Sequence, residues 1–161
     1  MLIKKELAAK IIEQVGNEFA ASSQYLAIAI YFEKEAFGNT AKFFYKQAEE
    51  EKEHAMKLLK YVVETGGDAP VPAIPAPKAV IKSAEDAFVT SLNWEMEVTG
   101  QINGLMDLAK QQNDYLAQKF LDWFVEEQLE EVTTMEKFLL IVRKLGEKNI
   151  YMLESIIAHA E

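Results

Sequence analysis

Apolar residues return every three or four positions in four long runs of this chain, and each run is interrupted near its middle by a polar residue. At about 100° per residue, Leu7, Ile11, Glu18, Tyr25, Ala29 and Phe32 lie within roughly 40° of one line, with Glu18 at its centre. Phe44, Ala48, Glu51, Ala55, Leu58 and Val62 form a second stripe, with His54 on its shoulder about 60° from Glu51. The third stripe is Phe88, Glu95, Ile102, Met106 and Ala109. The fourth is Leu121, Phe124, Val125, Gln128, Val132, Met135 and Leu139, with Glu131 on the shoulder that His54 takes in the second.

Breaks between the runs are marked by turn chemistry. All four prolines and the Gly66-Gly67 pair fall in residues 66–78, GGDAPVPAIPAPK, while the flanking sequence is rich in helix formers. Asn39 or Thr40 can cap a second helix, and Ser83 with Asp86 approximates a capping box for a third. Gln112-Asn113-Asp114 interrupts the next run, and Leu145-Gly146 reads as a helix end with glycine just beyond it. The pattern predicts helices at about 4–35, 40–65, 83–111, 114–145 and 147–159 in a single domain over 1–161, with a crossover at 66–82. The first four are on the order of 40 Å long, and the crossover can stretch to about 50 Å, enough to run the length of a helix. The second and third helices can therefore lie parallel while the short turns make antiparallel hairpins. The expected fold is all-α: a four-helix bundle with one long crossover and a short fifth C-terminal helix.

An offset of 77 relates Glu18 to Glu95 and Glu51-x-x-His54 to Gln128-x-x-Glu131. The same offset pairs Phe44 with Leu121, Ala48 with Val125, Ala55 with Val132 and Val62 with Leu139, so the hairpins read as a weak repeat about a pseudo-twofold axis. Each interruption falls near a helix midpoint, which brings them to one level. Carboxylates in the centre of apolar faces are costly unless neutralised. Four of them, Glu18, Glu51, Glu95 and Glu131, balance two divalent cations. Oxygen ligands with one imidazole suit iron or manganese. The spacing makes Glu18 and His54 ligands of a first metal, Glu51 a bridge, and Glu95 with Glu131 ligands of a second, with Gln128 the poorer ligand.

The composition narrows the function classes. With 161 residues, 50% of them hydrophobic, the chain can bury one core. It has no cysteine, which excludes disulfides and thiolate metal sites and permits a cytoplasmic location. The first sixteen residues lack the apolar core of a signal peptide, and no run reaches membrane-spanning length. A net charge of -9 disfavours nucleic acid and anionic membranes as partners and favours cations.

Four segments carry a family resemblance: N-E-F-A-A-S-S-Q-Y-L around Glu18, E-E-E-K-E-H-A around Glu51 and His54, N-W-E-M-E around Glu95, and E-E-Q-L-E-E around Gln128. Over essentially its whole length the chain resembles the ferritins, specifically the non-haem bacterial and archaeal type. One Glu from each of two helices and Glu-x-x-His from the other two is the ferritin-like di-iron pattern. The departure at Gln128-x-x-Glu131 resembles a ferritin more than a bacterioferritin. Lys52, where bacterioferritins carry a haem-ligating Met, implies no haem.

The resemblance implies a ferroxidase centre that binds Fe(II), lets O2 or H2O2 oxidise the pair, and passes Fe(III) into a hollow homo-oligomeric 24-mer cage for storage as mineral. It gives first-site roles to Glu18, Glu51 and His54, and second-site roles to Glu51, Glu95 and Gln128, with Glu131 as a further candidate. A third, weaker iron site falls at Glu50, Glu127, Glu130 and Glu131; the competing reading of Glu50, Glu53, Glu127 and Glu130 is a solvated acidic face. Tyr25 is implied to act in redox chemistry beside the ligands. Trp123 matches a family position, yet its angle turns it from the stripe, which favours interface packing. The last helix is expected to serve assembly through Ile150, Leu153, Ile156 and Ile157. Gln118 and Leu121 stand where some animal ferritins line a channel with acids. His159 has no evident partner. Two other readings are a small-oligomer di-iron or di-manganese oxidase or peroxidase without mineral storage, and a non-catalytic bundle whose acidic stripe meets a basic partner.

Overall fold

The computed structural model describes residues 2–78 and 80–160. Helix α1 spans Lys5–Lys34, α2 Gly38–Glu64, α3 Ala84–Gln111 and α4 Tyr115–Asn149; a 3-10 turn at Ile150–Met152 leads into α5 at Leu153–Ala158. There is no strand among the described residues, and no described helix is long and apolar enough to cross a membrane. The Leu2 amide donates to Thr65 O, setting the start of α1 beside the end of α2. Lys4 Nζ donates to Gln112 O, and Gln112 Nε2 to Glu6, placing the end of α3 there too. Both α2 and α3 thus oppose α1 and run parallel to each other, as the crossover length allows. Pro72 lies against Gly16, where a Cβ would come within 3.2 Å of it, and the Lys78 amide donates to buried Gln24.

The expected start signal holds for α3, and Asp114, from the expected break, caps α4. Ser83 Oγ accepts from the Asp86 amide at 3.0 Å, while Asp86 reaches back to the Lys82 amide, one residue earlier than in a full capping box. Asp114 accepts from the Ala117 amide. Neither Asn39 nor Thr40 caps α2, whose N-cap is Phe37. The cap comes from α5: the Glu154 carboxylate accepts from the Asn39 and Thr40 amides at 2.7 and 2.8 Å and from Thr40 Oγ1. An anion suits the positive end of a helix. The turn before α2 places Ala36, not Gly38, in the left-handed region, at φ 63, a strain of about 1 kcal/mol. The helix end foreseen at Gly146 is present as a kink with φ 63 inside α4.

The fifth helix departs from expectation. Leu153 and Ile157 are buried in this chain's own core rather than kept for assembly; Ile150 and Ile156 are half-buried, and Tyr151 and Met152 are the apolar groups left exposed. Glu154 and these two aliphatic anchors fold the end of the chain back onto α2. Replacing Glu154 with Ala is expected to lower stability by about 1–2 kcal/mol, measured by denaturant unfolding.

Two apolar clusters fill the bundle, separated by a polar layer. Ile11, Val62, Ile102 and Leu121 belong to one; Phe88, Leu139, Tyr25 and Phe44, their partners at the 77-residue offset, belong to the other. The pseudo-twofold axis therefore exchanges the two ends of the core through the polar layer. Two pairs fall short: Ala48 and Ala55 are buried, but Val125 is 39% exposed and Val132 only half-buried. The buried line of α4 runs instead through Leu121, Phe124, Gln128, Glu131 and Met135, so Glu131 sits inside it rather than on a shoulder. Leu121 is fully buried and half-buried Gln118 bonds the end of α3, so this chain offers neither as a channel lining.

Candidate metal centre

Glu18, Glu51, His54, Glu95, Gln128 and Glu131 converge between the clusters, and none is more than 5% exposed. Helices α1 and α3 each supply one carboxylate, while α2 and α4 each supply a pair three residues apart, one turn of one face. Ligand atoms of Glu18, Glu51 and His54 lie within 4.8 Å of one another, as do those of Glu51, Glu95 and Glu131. Glu51 belongs to both sets. The arrangement has room for one cation in each set, with Glu51 common to both. A third set, His54, Glu127 and Glu131, borrows one member from each side.

Hydrogen bonds hold these ligands in place. Tyr25 Oη donates to a Glu95 oxygen in a short bond. Gln128 Nε2 donates at 3.2 Å to the Glu95 carboxylate, the Glu95 backbone carbonyl and Thr99 Oγ1, leaving its carbonyl oxygen to serve a metal. Gln14 Nε2 donates to Glu18 at 2.9 Å, and the second Glu18 oxygen is buried without a partner. His54 Nδ1 lies 3.5 Å from Glu51. An acid-rich layer with an unsatisfied carboxylate oxygen is what a cation site requires.

Electrostatics lead to the same conclusion. Burial pushes the Glu51 carboxyl well above its ordinary range, and the charges of Glu95, Glu18 and Glu131 push it further. Glu131 rises to about 9, first from burial and then from Glu95 and the acids Glu50, Glu127 and Glu130. Glu95 rises to about 7 from burial, opposed by the bonds from Tyr25 and Gln128. Tyr25 is raised well above 10 by burial and by Glu95, which keeps it a proton donor to that carboxylate. Burial and mutual repulsion thus oppose the charged forms of Glu51, Glu95 and Glu131; divalent cations would let these three ionise.

Glu50, Glu127, Glu130 and Glu131 line one cleft of about 730 Å³ together with Lys46, Gln47, Thr134 and Lys137. Only Glu131 among the four acids is buried; Glu50 and Glu127 are half-buried and Glu130 is exposed. The cleft thus begins at the second ligand set and opens outward. Glu53 is exposed and does not line it.

Trp123 lies elsewhere than its angle implied. Its ring meets His54 edge-on at 5.3 Å, and Lys57 Nζ lies 3.1 Å over its face, so this half-buried ring packs on a candidate ligand. Gln14 and Thr99 were also overlooked. The signal was available, because each stands four residues from a central Glu on the same helix. His159 forms only a local contact with Ser155 O.

This geometry can be set beside known proteins. The ferritin-like domain profile matches residues 8–145. The chain belongs to the ferritin family. Ferritin BfrB of Mycobacterium tuberculosis is 34% identical over 155 residues, spanning 96% of this chain and 85% of that protein. The bacterial non-heme ferritin of Staphylococcus epidermidis is 35% identical over 159 residues, spanning 98% and 96%. An open-pore ferritin from the hyperthermophilic archaeon Archaeoglobus fulgidus superposes with a TM-score of 0.94 at 28% identity, over 98% of this chain and 97% of that one. This ferritin is of the prokaryotic kind, as the motifs around Glu18, Glu51, Glu95 and Gln128 implied. Its four long helices, crossover and short last helix agree with that membership.

Proposed function

We propose that this ferritin oxidises Fe(II) within each subunit and stores the product as ferric mineral inside a hollow, cytoplasmic 24-subunit shell. The observation that carries the reading is the pair of three-ligand sets that share Glu51. Each Fe(II) yields one electron, so two ions held together supply the two electrons that take O2 to H2O2, or H2O2 to water. Glu18 and His54 hold one ion, Glu95 and Glu131 the other, and Glu51 bridges. Gln128 fixes Glu95 and offers its carbonyl oxygen, while Tyr25 donates to Glu95 and stands ready as an electron source. The charge of the four carboxylates matches two Fe(II); Fe(III) exceeds it and is drawn toward the further acids of the cleft. Glu50, Glu127, Glu130 and Glu131 there form the third, weaker position.

Aerobic Fe(II) loading with size measurement tests the reading as a whole. A shell near 24 chain masses that takes up many irons per chain is expected; a small oligomer that oxidises iron without retaining it would favour the oxidase reading, and no oxidation at two irons per chain would leave only binding. Replacing Glu130 with Ala should leave the first oxidation within about twofold and slow repeated turnover by roughly tenfold, on the scale of lost outer ligands. Turnover equal to the unmodified protein would remove the third position from the route.

A further inference from the structure

A groove of about 800 Å³ runs between α1 and α3 on the side of Glu18, lined by Glu6, Glu13, Gln14, Asn17, Gln101 and Gly104 among others. Leu105 and Leu108 give it an apolar side, and Gln14, Asn17 and Gln101 set amides among them. Gln14, 2% exposed, lines the groove and donates its amide to Glu18. Half-buried Asn17 donates to Gln14 Oε1 at 3.2 Å. The amides of Asn17 and Gln14 thus form a chain from the groove to a carboxylate that is 1% exposed and has one oxygen unpartnered. Gln101 Oε1, also in the groove lining, is buried without a partner.

The 77-residue offset supplies an internal control. Gln14, Asn17, Gln101 and Gly104 correspond to Ser91, Trp94, Gln24 and Ala27. Ser91 does not reach Glu95; its hydroxyl donates to Ala87 O within its own helix. Trp94 fills the place of Asn17 with a ring packed on the apolar core. Gln24 is 2% exposed and is gripped by the crossover, which gives the Lys78 amide to its Oε1 at 2.8 Å. Ser91, Gln24 and Trp94 are thus turned to their own helix, to the crossover and to the core, whereas Asn17 and Gln14 lead to Glu18 and Gln101 Oε1 has no partner.

We propose that the α1–α3 groove is a portal by which a hydrated divalent cation reaches Glu18 from outside the bundle, with Gln14 as its gate. Amide oxygens of Gln14, Asn17 and Gln101 are hard neutral donors that can replace water around such an ion without trapping it. The rim carries Glu6, Lys10 and Glu13, with Lys10 paired to Glu13 at 2.7 Å, and its remaining negative charge attracts the ion. Glu18 then takes the ion into the set it forms with Glu51 and His54. The portal rests on the proposal above that Glu18 is a metal ligand.

The test follows Co2+ binding to the assembled, metal-free protein without oxidant, by quenching of tryptophan emission, because Trp123 lies against His54. A Cβ at Gly104, which lines the groove, meets nothing within 4 Å, so Gly104→Leu adds bulk there from an unobstructed start. The same change at Gly100, which is equally unobstructed and does not line the groove, is the control. Association in G104L, and in the double charge reversal E6K/E13K at low salt, is expected to slow by about tenfold or more, with the final stoichiometry retained. G100L should associate at the unmodified rate. The E6K/E13K arm changes exposed side chains, so it stands even if G104L assembles poorly. Unchanged association in E6K/E13K and in a folded G104L would overturn the portal alone. Failure of Co2+ to quench in the unmodified protein would overturn the Glu18, Glu51 and His54 set, and the portal with it.

Discussion

Replacing Glu51 with Ala is expected to abolish fast Fe(II) oxidation, lowering the initial rate at two irons per chain by about 100-fold or more. Loss of a group that only orients a ligand typically costs about 10–100-fold in metal affinity or activity, and Glu51 lies within ligand distance in both three-ligand sets. Removing it leaves Glu18 with His54 on one side and Glu95 with Glu131 on the other, with nothing to hold two ions at a common distance. Stopped-flow absorbance after mixing anaerobic protein and Fe(II) with oxygenated buffer reads the effect. Glu51→Gln keeps the side-chain volume and hydrogen-bonding surface and should be nearly as slow, which separates loss of the carboxylate from loss of packing. A rate near that of the unmodified protein in either variant removes Glu51 from its bridging role.

The second large effect is on stability. Metal-free protein should become less stable as pH rises from about 5 toward 9, opposite to the usual trend for carboxylates held by salt bridges. The folded-state carboxyls of Glu51, Glu95 and Glu131 are all raised, Glu95 to about 7 and Glu131 to about 9. Between the unfolded value near 4.5 and those raised values the folded chain binds more protons than the unfolded chain. Stability therefore falls as pH climbs through that window and levels off above it. Moving Glu95 alone to about 7 accounts for on the order of 3 kcal/mol. Thermal unfolding of the metal-free protein at pH 6 and pH 9 should show the loss, and Mn2+ should restore it at pH 9 by neutralising the layer. A melting temperature that rises with pH in the absence of metal would mean that these acids are not crowded together in the fold.

Most of this architecture could be read from periodicity, because a buried helix records its inward face every three or four residues. Glu18, Glu51, Glu95 and Gln128 stood out as breaks in such faces, and the fold brings them together. The angle on α4 was misjudged: Val125 and Val132 drew the stripe to one side, although Val125 is exposed and the true line passes through Glu131. Hydrophobic identity marks a helix face only loosely when a subunit carries apolar surface. Trp123 was misplaced for a related reason, since an aromatic ring reaches well beyond the angle of its Cα. The cap on α2 was illegible because it comes from Glu154, more than a hundred residues along the chain, and no local pattern encodes a long-range hydrogen bond. The short last helix is apolar on more than one face, and which of its residues turn inward depends on the Gly146 kink.

The division of ligands between hairpins bears on how the protein is made. Glu18, Glu51 and His54 all lie in α1 and α2, so the first set is complete in the nascent chain before α3 has been synthesised. Glu95 and Glu131 come from the second hairpin and meet Glu51 only when the two halves close. On the proposed reading, a ribosome-bound fragment ending in the crossover already contains every residue of the first set, while the second hairpin lacks Glu51. Capture of a single ion therefore reports no more than a formed first hairpin, and capture of two reports a finished bundle.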